Sequence, residues 1–428
     1  MDYAAAVADL DARQPQRMIP DLDRIRAVTE FLDHPERTYR TVHITGTNGK
    51  TTTARLIGRI LCAHGLSAGI YTSPHLNRVN ERIAQCDDEI SDREFADTYD
   101  HLAPVLREVD RRGEERVTYF ETLTALAYLW FSDKPVDVGV FEVGMGGEWD
   151  ATNLVTGDVA VFCPIDLDHP ELGATVEEVA REKAGIIKEG GVAVVAEQHP
   201  EALGSIRDRA EALGVEVRVE GTDFELAARD PGVGGQLLRV RGLEADYGEL
   251  FLPLHGLHQG RHVALAVAAS EALLGRALSE RALPDALAGA TAPGRLEVVS
   301  RHPLVVLDGA HNPAGAQALA ATLGEMFIWQ RLHMVIGCLS TKDVAGIVAP
   351  LASRADHAYA CANANPKSLS PEEMAAACQA VEIPAHAFAT VDDALVAAHT
   401  AAEEGDLILV TGSLYTVADA RPRYVGGL

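Results

Sequence analysis

The sequence predicts an α/β fold. A doubly wound, mostly parallel sheet carries a phosphate-binding loop and a small antiparallel β insertion, and a smaller Rossmann-like α/β domain follows. Three observations lead there. A glycine-rich turn separates a strand-like stretch at 41–44 from a helical stretch at 54–61. Near-continuous apolar runs at 136–143 and 158–165 are separated by helical segments, as in parallel sheets covered on both faces. After Pro293-Gly294-Arg295 the alternation of strand and helix begins again.

The first element is the turn Thr45-Gly46-Thr47-Asn48-Gly49-Lys50-Thr51-Thr52-Thr53. A glycine-rich turn entering a helix aims backbone N–H groups and the positive end of the helix dipole at a phosphate. Lys50 would reach the terminal phosphates, and the hydroxyl of Thr51 or Thr52 would face Mg²⁺. The usual G-x-x-x-x-G-K-[ST] pattern fails at its first glycine, where Ile44 stands. Gly65 is placed to end the helix. A short strand at 69–71 then leads into Thr72-Ser73-Pro74-His75. The run at 136–143 ends at Glu142, and the run at 158–165 leads to Asp166-Leu167-Asp168-His169. In parallel sheets ligands bind beyond the carboxyl ends of the strands, so these residues converge if their strands are neighbours.

Glu142 opens Glu142-Val143-Gly144-Met145-Gly146-Gly147-Glu148-Trp149-Asp150-Ala151-Thr152-Asn153. A carboxylate at a strand end opposite a phosphate loop offers hard oxygen to a hard cation. Glycines after it let the backbone approach a ligand closely. Farther on, Thr175 and Glu178 suggest a capping box, and Val176, Val179, Ile186 and Ile187 form an apolar stripe that contains Lys183. A lysine there either snorkels to the edge of the stripe or faces inward. Facing inward, it loses hydration, and its neutral amine can add CO₂ to form a carbamate.

Residues 212–254 read as antiparallel hairpins inserted in the α/β layer, with strands at 215–219, 237–240 and 249–252. An alanine-rich helical stretch spans 262–287. The division expected is therefore 1–293, containing the insertion, and 294–428. Strands of the second part are expected at 304–307, 334–336, 358–361 and 407–410.

Composition narrows the function. A net charge of −26 argues against a nucleic-acid partner and requires local cations or N–H groups for anionic ligands. With 47% apolar residues and no apolar run near membrane-spanning length, no membrane partner is expected. No charged-then-apolar leader opens the sequence, and the six cysteines lack C-x-x-C spacing, so reduced thiols in a cytoplasmic protein are expected. Of 37 basic residues only six are lysine, and two of those are Lys50 and Lys183.

Taken in order, these segments resemble the Mur ligase superfamily, and within it the bacterial folylpolyglutamate synthase/dihydrofolate synthases. The resemblance runs from Leu22-Asp23-Arg24-Ile25 through the phosphate loop, Ser73-Pro74-His75-Leu76 with Glu81-Arg82, and Thr118-Tyr119-Phe120-Glu121. It continues through 142–153, Asp168-His169 and Arg181-Glu182-Lys183-Ala184-Gly185, then Gly256-Leu257-His258-Gln259. It closes on Pro293-Gly294-Arg295, Asp308-Gly309-Ala310-His311-Asn312-Pro313 and Gly412-Ser413.

The resemblance implies an ADP-forming ligase that joins L-glutamate to dihydropteroate or to a reduced folate through an acyl phosphate. Gly46, Thr47, Asn48, Gly49, Lys50, Thr51 and Thr52 would hold ATP. Arg295 and Asp308 would contact it from the linker and the second domain. Thr51, Ser73, Glu142 and His169 would ligate two Mg²⁺ ions, with Lys183 beside them as a carbamate. Lys50, Glu142, His169 and Lys183 would be the catalytic set. Thr118, Asp150 and Ala151 would line the pterin pocket, and the stretch around 12–20 would close over it. His311 is either a partner of glutamate or phosphate, or a turn residue. The family is usually monomeric.

The chain departs from the family at three places. Glu148 replaces an arginine, His262 replaces an asparagine that contacts ATP, and Ser340-Thr341-Lys342-Asp343 stands where D-K-D is common. Two rival readings are a ligase of the same superfamily acting on another acid and amino acid, and a nucleotide-gated switch. Only about forty residues precede the phosphate loop, which argues against the peptidoglycan branch.

Overall fold

The computed structural model describes residues 1–15, 19–168 and 170–425. They form two compact units. One comprises Met1–Asp230, Leu237–Leu252 and Gln259–Ala290, and the other Pro231–Gln236, Pro253–His258 and Thr291–Leu428.

In the first unit, α1 (Tyr3–Asp11) and α2 (Asp23–Phe31) precede β1 (Arg40–Thr45), α3 (Lys50–Ala63) and β2 (Ala68–Tyr71). Then come β3 (Ile83–Gln85), β4 (Asp88–Glu89), α4 (Asp92–Arg112), α5 (Tyr119–Asp133) and β5 (Val138–Glu142). β6 (Val159–Phe162), α6 (Val176–Lys183), β7 (Val192–Val195), α7 (Pro200–Leu213) and β8 (Glu216–Val219) complete the layer. The eight strands lie in the order β4-β3-β2-β5-β1-β6-β7-β8. All pairings are parallel except those that β3 makes with β2 and β4. β1 is central, and Ile44 is level with Glu142 on one side and Val161 on the other. β2, β5, β1 and β6 lie side by side, so the condition for convergence is met and their carboxyl ends form one edge.

Aromatic side chains fill one core of this layer, with Tyr71, Phe95, Tyr99, Tyr128, Phe131 and Phe141 fully buried. A second core joins Ala160 and Phe162 of β6 to Val179 and Ala180 of α6 and to Ala202 and Ile206 of α7. α4 and α5 begin on complete capping boxes, Ser91 with Glu94 and Thr118 with Glu121. At α6 only half of the expected box forms. Thr175 accepts the Glu178 N–H, but the Glu178 carboxylate turns to the N–H of Ala174.

Three further expectations are corrected. The strand at 215–219 is not part of the insertion: β8 is the parallel edge strand beside β7. The insertion is the three-stranded sheet β9 (Glu225–Gly232), β10 (Gly235–Arg241) and β11 (Asp246–Leu252), in the order β11-β10-β9. The helical stretch at 262–287 is two helices, α8 (Leu257–Leu274) and α9 (Ala282–Ala288), because Gly275 turns left-handed (φ 64°) after the first. Finally, Cys62 at the end of α3 and Cys86 after β3 form a disulfide, with Cα atoms 6.0 Å apart, rather than standing as reduced thiols. Cys163, Cys338, Cys361 and Cys378 are buried and free.

The second unit carries β12 (Glu297–Arg301), β13 (Leu304–Leu307), β14 (Leu332–Ile336), β15 (His357–Cys361), β16 (Ala385–Phe388) and β17 (Leu407–Thr411). Their order is β12-β13-β17-β14-β15-β16, parallel except for the β12–β13 pair. Among the described residues no helix is long and apolar enough to cross a membrane.

Candidate active site

The phosphate loop joins β1 to α3 and needs its glycines for two separate reasons. Gly46 lies at φ 141°, where a Cβ would sit 2.6 Å from the Cβ of Cys163. Gly49 lies at φ 89°, and a Cβ there would run into the imidazole Nε2 of His262 on α8. Both positions suit glycine alone. The loop is further pinned to the end of β6: Thr47 N–H donates to Pro164 O, and the Thr47 hydroxyl donates to Asp166 O.

Glu142, 2% exposed, draws the surrounding elements together. The Thr51 hydroxyl donates to its two carboxylate oxygens at 3.0 and 2.9 Å, and the backbone N–H of Ser73 donates at 3.0 Å. One carboxylate therefore binds the start of α3 and the turn after β2. Lys50 is folded back on its own loop, donating to Gly46 O at 3.1 Å and to Thr47 O at 3.4 Å. Lys183 donates to the same Gly46 oxygen at 3.1 Å.

Lys183 does not snorkel to the edge of its stripe; it is 4% exposed. Burial, reinforced by the positive charge of Lys50, pushes its amine down to about 7. Asp166 and Asp168 line the same narrow cleft as Lys50 and Lys183. Their alternate spacing after β6 was the signal in the sequence, but the reading assigned the site to the neighbouring His169, which lies outside the described residues.

A larger cleft of about 360 Å³ opens beside the first. Thr118, Asp150 and Ala151 line it, together with Phe120, Trp149 and Arg82, which carried no role in the sequence reading. Pro15 and Ile19 from the 12–20 stretch also border it. The guanidinium of Arg82 donates to His75 Nδ1 at 3.0 Å and lies over the ring of Tyr119. Asp150 does not present free oxygens to the cleft. Oδ1 accepts the N–H and hydroxyl of Thr152, and Oδ2 accepts the N–H of Met145. Burial nevertheless raises its carboxyl above the usual range. Ser73's neighbour Pro74, Gly144 and Met145 border this cleft, and Gly144 and Met145 border the phosphate-side cleft as well. The two cavities thus share a wall.

Glu148, the residue that departs from the family arginine, lines neither cavity; its backbone N–H donates to the Glu182 carboxylate. In the second unit Asp308 is 7% exposed and accepts the N–H groups of Leu296 and Ala310. Burial pushes its carboxyl up, and the nearby charge of Arg295 opposes the rise. His311 Nδ1 pairs with Gly309 O at 2.8 Å, and Asn312 caps the following helix. Among the described residues no three His, Cys, Asp or Glu side chains cluster as a metal site by themselves. The donor set at Glu142 is instead one carboxylate with the Thr51 hydroxyl beside it, which suits a cation that takes its remaining oxygens from phosphate and water.

Comparison with known proteins identifies the family of the chain. The Mur ligase middle domain family matches residues 44–269, and the Mur ligase, glutamate ligase domain family matches residues 294–414. The dihydrofolate synthase/folylpolyglutamate synthase of Mycobacterium tuberculosis is 38% identical, over 96% of this chain and 92% of its own length. That of Escherichia coli is 36% identical, over 88% and 84%. A solved structure of Mycobacterium tuberculosis folylpolyglutamate synthase complexed with ADP superposes with a TM-score of 0.96 at 37% identity, covering all of both chains. E. coli FolC in complex with DHPP and ADP gives 0.89 at 32% identity, covering 99% and 97%. The chain therefore belongs to the Mur ligase family, in its folylpolyglutamate synthase/dihydrofolate synthase branch.

Proposed function

We propose that this chain is an ATP-dependent, ADP-forming ligase that adds L-glutamate to dihydropteroate, to the glutamate tail of reduced folates, or to both. The observation that carries the proposal is the shared wall: Gly144 and Met145 separate a phosphate-binding cleft from an apolar cleft large enough for a fused-ring acid. A carboxylate reaching past that wall would meet the terminal phosphate of a nucleotide held by residues 46–52.

The acceptor carboxylate attacks the γ-phosphorus, the bond to the β–γ bridging oxygen breaks, and ADP leaves. The amine of glutamate then attacks the acyl carbon of the acyl phosphate. Phosphate departs, and the amine loses its proton. Lys50 and the loop N–H groups neutralise charge on the transferring phosphoryl group, and catalysis is mainly positioning. Glu142, Thr51 and Ser73, with His169, are the proposed Mg²⁺ ligands for two ions. Bound there, Mg²⁺ supplies further neutralisation of the phosphate oxygens. Lys183 contributes best as a carbamate: with its amine near 7, a large fraction is neutral at physiological pH and can add CO₂, releasing one proton. The product carries negative charge where an ammonium would oppose a cation. Arg295, Asp308 and His262 are proposed nucleotide contacts, and His311 a glutamate contact. The proposed compartment is the cytoplasm, where ATP is supplied, and the proposed state is a monomer.

The test is ADP release by purified protein with ATP, Mg²⁺ and glutamate, offered dihydropteroate or tetrahydrofolate separately. Release that needs both glutamate and a pteroate acceptor is expected. Release independent of either would refute the proposal.

A further inference from the structure

β1 carries a polar stripe on one face: Thr41, His43 and Thr45, all fully buried. Each member bonds to the long connection between β5 and β6. The Thr45 hydroxyl donates to Gly146 O at 2.8 Å. His43 Nε2 pairs with the Thr152 hydroxyl at 2.8 Å. The Thr41 hydroxyl meets Thr156 at 2.9 Å and accepts the N–H of Gly157 at 2.7 Å. The connection that lines both cavities is thus fastened along the central strand at three points.

The middle fastening has a direction. Thr152 Oγ donates to Asp150 Oδ1 at 2.5 Å, so its one proton is committed there. Toward His43 the hydroxyl can only accept, and the imidazole must carry its proton on Nε2. His43 Nδ1 is buried with no hydrogen-bond partner among the described residues, as the lone pair of that tautomer would be. Burial, with the charge of Lys188, holds the ring neutral by pushing it down to about 3. Asp150 passes the constraint on, because its other oxygen accepts the N–H of Met145 in the shared wall.

We propose that His43 is a positioning residue for acceptor binding: its Nε2–H orients the Thr152 hydroxyl onto Asp150 and thereby holds the Gly144–Met145 wall in place. This rests on the reading of the larger cleft as the acceptor site. His43 itself lines neither cavity.

Steady-state kinetics on the full chain tests it. His43→Leu removes the donor and should raise KM for dihydropteroate about tenfold, the usual scale for losing a buried hydrogen bond, and KM for ATP by clearly less, because the wall borders both clefts but residues 46–52 hold the nucleotide. His43→Gln, which can place an amide N–H near the same position, should recover most of the loss. ¹⁵N NMR of the wild-type imidazole should show a neutral, Nε2-protonated ring from pH 8 to pH 5. Unchanged dihydropteroate KM in His43→Leu overturns the inference, as does equal damage to both KM values without rescue by glutamine, or a charged or Nδ1-protonated ring. If His43→Leu does not fold, Thr152→Val against Thr152→Ser decides, since only serine keeps the hydroxyl. Wild-type protein that binds no dihydropteroate sinks the acceptor-site reading itself, and the role of His43 falls with it.

Discussion

Lys183 offers the sharpest physical test of the site. Its amine titrates near 7 in the fold against 10.5 in a solvated chain. The folded state therefore binds this proton less tightly. Between about pH 7 and 10.5 the unfolded chain holds the extra proton, so the contribution of this group to stability rises with pH across that window. Below pH 7 both states are protonated and the penalty is complete. At about 1.4 kcal/mol per pH unit it amounts to roughly 5 kcal/mol. Lys183→Met keeps the apolar stem and removes the charge. The variant should thus be more stable than wild type at pH 6, and the gap should shrink by about 1.4 kcal/mol per unit above pH 7. The hydrogen bond to Gly46 O adds only a constant offset, so the slope is the diagnostic quantity. The assay is urea unfolding in CO₂-free buffer in a Trp329→Phe background, where Trp130 and Trp149 report on the first unit. Added bicarbonate should narrow the gap at a given pH without changing the slope, because the carbamate forms only on the buried neutral amine and so stabilises folded wild type alone. A gap that stays constant from pH 6 to 9.5 would refute the argument, because Lys183 would then be an ordinary solvated ammonium.

Glu142→Gln should reduce glutamate-dependent ADP release by about a hundredfold or more while far-UV circular dichroism stays unchanged, since the Thr51 and Ser73 contacts can persist without the charge. Gly49→Ala forces a left-handed backbone angle on alanine and pushes a methyl at His262, so ADP affinity measured by calorimetry should fall about tenfold or more. His262→Asn supplies an amide beside the phosphate loop, so KM for ATP should drop with KM for the acceptor unchanged; an acceptor-side effect would contradict the placement of His262 beside the phosphate loop.

The strand ends were legible because each apolar run stops at a residue with chemistry to offer, as at Thr45 and Glu142, and parallel strands bring such stops level. Lys183 was not decidable from its stripe: the same spacing serves a snorkelling lysine, and only the packing of α6 beside the phosphate loop buries the amine. β8 was misread for a physical reason. An edge strand of a parallel sheet is partly exposed, so Glu216-Val217-Arg218-Val219 alternates as a hairpin strand would. The Cys62–Cys86 bond left no spacing signal, since its partners come from a helix end and a strand turn. The stripe on β1 was hidden in the same way. Alternation of polar and apolar residues marks a strand, but it does not say whether the polar side meets water or a buried loop.

That hidden stripe limits where chain length can change. A segment stitched to the middle strand at Gly146, Thr152 and Gly157 has no slack: one residue added or removed between the stitches would bring the wrong group opposite His43. Natural length variation in this branch should therefore collect elsewhere, in places such as the β9–β10 turn, where Val233 stands 98% exposed.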